Sequence, residues 1–163
     1  MDEVDRILAA WHRETPGLDV SPLRVFSRVS RLARHLDLMR KEAFAAQGLD
    51  VWEFDVLAAL RRSGTPYELS PGALIHETLS TSGTMTNRID RLAERGMVER
   101  LPDPHDRRGV RVRMTPAGRQ VVESALAALV EHERDLLAVL SADQMDDAAA
   151  LLRSLLTPFE GKA

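Results

Sequence analysis

The chain has 163 residues and a formal net charge of −3, and its 44% hydrophobic and 29% charged content is that of one soluble globular domain per protomer. It has no cysteine, which excludes a disulfide framework and a thiolate metal site, and its five histidines are too scattered to suggest a metal site. No apolar run approaches the ~20 residues of a membrane span, and the acidic N-terminus is unlike a signal peptide. We therefore expect a cytoplasmic protein with no cofactor, no metal and no membrane partner.

The charge is unevenly distributed along the chain. Residues 83–119 contain nine arginines against five acidic residues, a local charge of +4, whereas the segments before and after them are acidic. Binding to duplex nucleic acid depends on local rather than total charge. The basic segment is therefore the candidate for contact with a polyanion.

Hydrophobic periodicity predicts three helices in the first 62 residues. Apolar residues at helical spacing, ending with Trp11, predict an amphipathic helix over 2–14. Two more helices are predicted over 23–46 and 51–62. A helix of ~24 residues is long for a small domain, which favours packing of the helix 23–46 against other helices and a second protomer.

The helix 51–62 is apolar nearly all round, with Trp52 among its apolar residues, but Asp55 stands in its middle. A carboxylate in such surroundings either finds a cationic partner or has its pKa raised by desolvation. A structural ion pair and a functional role are both open for Asp55.

Residues 71–114 contain the pattern around which the chain is organised. The predicted order is a helix over 71–78, a turn over 79–82, a second helix over about 81–95, and strands over 97–101 and 110–114, with a short third strand at 67–69. Gly96 supplies the left-handed C-cap of the second helix. This order is that of a winged helix-turn-helix, and the predicted fold class is mainly α with a small β-wing.

The second helix of this motif has the character of a recognition helix. Its apolar stripe consists of Met85, Ile89 and Leu92. The other faces bear short hydrogen-bonding side chains and arginines, which suit base edges and phosphates. The candidate DNA-binding residues on this helix are Ser82, Thr84, Thr86, Asn87 and Arg91.

The segment between the two wing strands, PDPHDRRG, is predicted to project as a charged tip. Its prolines lack the N–H donors that a β-ladder needs. Arg107 and Arg108 lie at this tip, where an arginine can enter a minor groove beside the major-groove helix. Together with Asp106 they complete the candidate DNA-binding residues.

Two further helices are predicted after the wing, over about 116–140 and from a capping box at Ser141 to Pro158. They carry too much apolar surface for a DNA-binding lobe alone, so we assign them to a dimer interface. The expected organisation is a segment 1–50 with the N-terminal helix and the first dimerisation helix, a winged helix-turn-helix DNA-binding lobe 51–114 and C-terminal dimerisation helices 115–163, all in one compact protomer.

The segments GTMTNRIDRLAERGMVER and DPHDRRGVRVRMTPAGR resemble the MarR family of bacterial transcription regulators, and the resemblance extends over nearly the whole chain. The family pattern at the wing is Asp-x-Arg, here Asp106 and Arg108. The resemblance implies a homodimer with a helical interface, binding to a pseudo-palindromic operator in double-stranded DNA at the nucleoid, and release by a small-molecule effector.

Four residues are similar to those of the urate-responsive (UrtR-type) subgroup of this family. The subgroup has a tryptophan on an extra N-terminal helix, an aspartate on the helix before the helix-turn-helix, and arginines on the recognition helix and at the wing base; here these are Trp11, Asp55, Arg88 and Arg100. The match implies a site for an anionic purine-like ligand such as urate. Trp11 would contact the ring, Arg88 would pair with the anion, Asp55 would be repelled by it, and Arg100 would either hold Asp55 or anchor the wing base.

Three readings compete at this point. The first is a ligand-released repressor answering urate or, alternatively, a phenolic or other organic acid. The second is a DNA-binding protein without a small ligand, in which the Asp55–Arg pairs are structural. The third is an enzyme, which nothing in the sequence supports, because it has no glycine-rich phosphate loop, no cysteine and no nucleophile–base spacing.

Overall fold

A computed structural model describes residues 1–104, 106 and 109–160. The helices of this described part are α1 Glu3–Glu14, α2 Leu23–Ala45, α3 Val51–Arg62, α4 Pro71–Thr78, α5 Ser82–Glu94, α6 Pro116–Leu137 and α7 Ala142–Leu156, followed by a short 3-10 helix at Thr157–Phe159. The strands are β1 Glu68–Leu69, β2 Val98–Pro102 and β3 Val110–Met114. The predicted class, mainly helical with a small β-wing, is confirmed.

The chain forms two compact units, residues 1–42 and 43–163. In the first unit, Val4 and Leu8 of α1 pack with Val20, and Leu23 lies against this cluster. The α1 helix is also tied to α2 by ion pairs, in which the Arg28 guanidinium donates to Asp2 at 2.8 Å and to Asp5 at 2.7 Å.

These contacts set the titration of the two N-terminal carboxyls. The Arg28 guanidinium and then the Asp5 N–H hold the pKa of Asp2 below its usual value. The Asp2 N–H and then Arg28 hold the pKa of Asp5 below its usual value as well. Both carboxylates accept hydrogen bonds that favour the charged form, so α1 is attached to α2 by charged groups as well as by its apolar stripe.

The core of the second unit lies between α3, α4, α5, α6 and the sheet. The predicted stripe of α5, Met85, Ile89 and Leu92, is completely buried. It packs in a core that also contains Leu57 and Leu74. With α5 fixed by this face, its opposite face, which includes Thr84 and Asn87, remains exposed.

The ends of α5 and α6 follow the signals in the sequence. Thr81 is the N-cap of α5, and Gly96 has φ 69° just after its C-cap. The Met97 N–H then donates to the Leu92 carbonyl at 2.9 Å, which satisfies an orphan carbonyl of the last turn. At α6, the Thr115 hydroxyl accepts from the Gly118 N–H at 3.1 Å, as expected of an N-cap before a first-turn proline.

The three strands form an antiparallel sheet in the order β1-β3-β2. Pro102 lies within β2, opposite Val110, so the expectation that its missing N–H ends the ladder before this residue is wrong. The physical reason is that β2 is an edge strand, where a proline can occupy the last position without breaking an internal ladder.

The C-terminal helices expose much of their apolar surface. The α6 helix ends at Leu137, three residues before the predicted end, and the predicted capping box at Ser141 is present. No residue of α7 is buried, although Met145, Leu152 and Leu156 share one of its faces. Within the described part of the chain, no helix is both long enough and apolar enough to span a membrane.

Candidate DNA-binding surface

Helix α5, the predicted recognition helix, presents a row of polar side chains opposite its buried stripe. Thr84, Asn87 and Arg91 are exposed and project within about 60° of one another at 100° per residue. The other two predicted residues, Ser82 and Thr86, are also exposed, but they project from a different side of the helix. The Thr86 hydroxyl donates to the Ser82 carbonyl at 3.3 Å, so this hydroxyl is occupied within the helix.

One side of this row is bordered by Trp52 of α3. The guanidinium carbons of Arg91 and Arg88 lie 5.0 Å and 5.5 Å from the centroid of its ring, within cation–π range. Arg88 also donates to the Ser80 hydroxyl at 3.1 Å. The depression formed here has a volume of about 450 Å³ and is lined by Trp52, Gly83, Thr84, Asn87, Arg88 and Arg91.

The buried carboxylate of α3 is Glu53 rather than Asp55. Glu53 is 2% exposed, whereas Asp55 is half-buried, so the expectation that Asp55 is the enclosed acid of this helix is wrong. Glu53 accepts from Arg95 at 2.5 Å and from the Asp50 N–H at 2.9 Å. The Asp-x-x-Glu spacing of Asp50 and Glu53 is a capping-box signal that could have singled it out.

The other side of α5 is attached to the wing. Arg100 of β2 donates to Asp90 of α5 at 2.5 Å, and its side chain is 36% exposed. Arg100 shares a strand face with Val98, from which an inward orientation is expected, but this expectation is wrong because an acidic partner on the surface of α5 holds the side chain there. Of its two expected roles, this contact supports anchoring the base of the wing.

Hydrogen bonds around Asp103 connect the two sides of the wing hairpin near its tip. The Asp103 N–H donates to the Gly109 carbonyl at 3.0 Å, and Arg111 donates to the Asp103 carboxylate at 2.7 Å. The exposed Asp106 accepts from the Gly109 N–H through its carbonyl at 2.8 Å. The predicted tip residues Arg107 and Arg108 lie outside the described residues.

The residues predicted to respond to a ligand lie in both units. Trp11 belongs to the first unit, where its side chain is 46% exposed on α1. Asp55 and Arg88 belong to the second unit and are both half-buried. Arg88 projects about 60° from the centre of the buried stripe at 100° per residue, and its side chain lies between Ser80 and the Trp52 ring.

The arginines of α5 and the wing differ in whether a carboxylate neutralises them. Arg95, Arg100, Arg111 and Arg113 each pair with a carboxylate. In the part of the chain that the structure describes, neither Arg88 nor Arg91 forms such a pair, so their charge remains available to a phosphate or a base edge. The same part contains no group of three His, Asp or Glu side chains able to hold a metal ion.

Comparison with known proteins identifies this architecture. A family model described as the MarR family matches residues 47–109. The chain is 36% identical over 150 residues to the HTH-type transcriptional regulator PecS of Dickeya dadantii, covering 92% of this chain and 90% of PecS. It is 32% identical over 124 residues to the multiple antibiotic resistance protein MarR of Escherichia coli, covering 74% of this chain and 82% of that protein.

A solved structure of a mutant MarR from E. coli complexed with operator DNA matches the fold with a TM-score of 0.70 and 27% identity, covering 85% of this chain and 96% of that one. These relatives are regulators rather than enzymes, in accord with the lack of an enzyme motif in the sequence. The winged helix-turn-helix, the uncompensated arginines on α5 and these similarities show that the chain belongs to the MarR family of DNA-binding transcription regulators.

Proposed function

We propose that this protein is a ligand-responsive repressor that binds a pseudo-palindromic operator as a homodimer and is released by a small anionic aromatic molecule. The observation that carries the DNA-binding part is the exposed row of Thr84, Asn87 and Arg91 on α5, whose opposite face is buried. A helix anchored in this way can enter a major groove, while the wing lies beside it. The protein would act at the nucleoid, in the cytoplasm of a bacterium.

Within this row, side-chain chemistry predicts separate roles. Asn87 can bond the N6 and N7 edge of an adenine, and Arg91 can bond the O6 and N7 edge of a guanine or a phosphate. Thr84 accepts a hydrogen bond from the Thr81 hydroxyl at 2.9 Å, which leaves its own hydroxyl proton for a phosphate or base. Asp106, Arg107 and Arg108 are proposed to contact DNA from the wing.

The test of DNA binding is a titration of a fluorescent duplex from the region upstream of the protein's own gene, measured by anisotropy at several salt concentrations. Arg91→Ala should weaken binding, and the salt slope should fall by about 1 if Arg91 contacts a phosphate. The matched control is Arg134→Ala, because Arg134 is an exposed arginine of α6 paired with Glu131. Equal affinities for the two variants would contradict the assignment of α5 as the recognition helix.

The homodimer is proposed from the C-terminal helices. A 15-residue helix with no buried residue has little to stabilise it in water by itself, since most helical stability comes from packing of an apolar face. The exposed Met145, Leu152 and Leu156 of α7, with Leu126 and Val130 of α6, are the apolar residues that a second copy would cover. The exposed Phe26, Val29 and Leu32 of α2 are further candidates.

Sedimentation at micromolar concentration should show a dimer. The double variant Leu152→Asp/Leu156→Asp should dissociate it, because two charges would have to be buried in an apolar interface. The control is Leu79→Asp, in the turn before α5, where an exposed leucine has φ 49° and aspartate is tolerated. A folded monomer in the unmodified protein would refute the dimer.

The ligand response is proposed for Trp11, Asp55, Arg88 and Arg100. Arg88 is the best supported of these, because it is half-buried, lies against an aromatic ring and has no carboxylate partner among the described residues. Such a guanidinium suits a planar anion, and urate is the first candidate. A ligand that lowers DNA affinity tenfold must bind the DNA-free form better by about 1.4 kcal/mol.

Titration of the protein–DNA complex with urate, other purines and phenolic acids tests this response. Arg88→Ala should abolish release, Asp55→Asn should preserve ligand binding but weaken release, and Trp11→Phe should reduce ligand affinity with little effect on DNA binding. The response is refuted if no compound changes DNA affinity or Tm and Arg88→Ala instead lowers Tm, which would make Arg88 a structural residue.

A further inference from the structure

Trp52 lies on α3, outside the recognition helix, yet its ring contacts Arg91, the arginine of that helix proposed to reach DNA. The Arg91 guanidinium carbon is 5.0 Å from the ring centroid. We propose that Trp52 is a positioning residue for DNA recognition, which holds the Arg91 guanidinium in place while leaving its charge free for DNA. This inference rests on the proposed DNA-binding role of Arg91.

The ring of Trp52 is itself fixed. Its indole N–H donates to the Asp50 carboxylate at 3.2 Å. Asp50 is the N-cap of α3, and its backbone N–H donates to the buried Glu53. The Trp52 ring that Arg91 contacts therefore belongs to the capped first turn of a packed helix.

An aromatic ring and a carboxylate hold an arginine with different consequences. A carboxylate fixes the guanidinium by neutralising it, as Glu53 does for Arg95 and Asp90 does for Arg100. A ring attracts the guanidinium through its quadrupole and adds no net charge. Arg91, like Arg88, is thus held by the Trp52 ring and is not neutralised by a carboxylate among the described residues, which is the combination that suits contact with a polyanion.

Holding Arg91 in advance also lowers the cost of binding. A long side chain loses rotamer freedom when it is immobilised at an interface, and a side chain that is already ordered loses less. Arg88 shares the ring at 5.5 Å but is also bonded to Ser80, so its guanidinium has a second attachment that Arg91 lacks. The effect of Trp52 on DNA binding should therefore pass through Arg91.

A double-mutant cycle on the full chain tests this inference, with affinity for the same upstream duplex measured by anisotropy without effector. Trp52→Leu should weaken binding about two- to fivefold, the factor expected for loss of an exposed cation–π contact. Trp52→Phe keeps an aromatic face and should remain within about twofold of the original protein. In the Arg91→Ala background, Trp52→Leu should cause no further loss, because the side chain that it positions is absent.

The matched control is Tyr67→Leu. The Tyr67 ring also contacts two guanidinium groups, whose carbons lie 5.0 Å (Arg61) and 5.9 Å (Arg119) from the ring centroid. Tyr67 itself belongs to neither α3 nor α5. This variant loses the same type of contact and should retain the original DNA affinity. Circular dichroism and Tm establish that each variant is folded, and Trp52→Met replaces Trp52→Leu in the cycle if the leucine variant unfolds.

Three results would overturn the inference, and they are distinguishable. If Trp52→Leu weakens binding by the same factor with and without Arg91, the ring does not act through Arg91. If Arg91→Ala weakens binding but Trp52→Leu does not, Arg91 needs no positioning and the proposed function stands. If Arg91→Ala leaves the affinity unchanged, both the inference and the proposed role of Arg91 fail.

Discussion

Replacement of Glu53 by glutamine should destabilise the protein substantially, because Glu53 is the buried carboxylate that joins α3 to the end of α5. It is 2% exposed and accepts from both Arg95 and the Asp50 N–H. Glutamine preserves the shape and one acceptor, but it loses the charge and places an NH₂ group near a guanidinium or a backbone N–H. Hydrogen bonds to charged groups contribute about 1.5–3 kcal/mol.

The structure places the expected loss within that range rather than above it. Removing one partner of a fully buried ion pair costs about 3–5 kcal/mol, since the remaining charge is left without solvent. Arg95 is 39% exposed and also donates to the Gly48 carbonyl at 2.7 Å, so water and this carbonyl can still solvate it. We therefore expect a loss of about 2 kcal/mol, which corresponds to a fall in Tm of about 4–8 °C for a chain of this size.

Urea and thermal unfolding at equal protein concentration provide the assay, because association of the folded form shifts apparent stability. The control is Glu123→Gln, since Glu123 is 43% exposed and pairs with Arg61 at 2.8 Å on the surface. Exposed pairs contribute at most about 1 kcal/mol. If Glu53→Gln and Glu123→Gln change the free energy of unfolding equally, the burial argument for Glu53 is refuted.

Two further predictions concern the ends of the helices. The pKa values of Asp2 and Asp5 lie below the usual value of 3.8 in the folded state, so their contribution to the attachment of α1 is complete above that value and is lost as the pH falls through the lowered pKa values. The hydrogen-exchange protection factors of the α1 amides, which correct for the intrinsic pH dependence of exchange, should fall in this acid range, and Arg28→Ala should diminish that fall. Gly118→Ala should destabilise the protein by about 1–3 kcal/mol, because its Cβ would collide with the backbone carbonyl of Met97, just before β2. Gly83→Ala, in open space on α5, should stabilise the protein by about 0.4–1 kcal/mol. Urea denaturation of the two alanine variants without DNA measures both, and changes of the same sign would contradict the packing argument.

Much of the DNA-binding lobe could be predicted from residues that act on their immediate neighbours. The end of α5 just before Gly96 and its buried stripe follow from a left-handed glycine and a 3.6-residue period. These signals depend only on backbone geometry within one or two turns of helix. The exposed row that contains Asn87 and Arg91 follows from the same period.

The partners of charged and aromatic side chains could not be predicted in the same way. Asp55 and Glu53 lie on the same helix, and the sequence drew attention to Asp55, but Glu53 is the acid enclosed against Arg95, 42 residues away. Arg100 was expected to point inward, but Asp90 holds it on the surface of α5. The contacts of Trp52 could not be predicted either, because an aromatic residue on an apolar helix gives no indication that two arginines of another helix will lie over its ring.

The physical reason is the range of the interactions concerned. Caps, hydrophobic periodicity and turn residues act over a few positions, so the residues that determine a helix end or a turn lie next to it in the sequence. The free energy of a charge or a ring depends instead on burial and on the opposite charge that folding brings within a few ångströms. For Glu53, Arg100 and Trp52, the packing of α3 and β2 against α5 decides those distances, and local sequence does not.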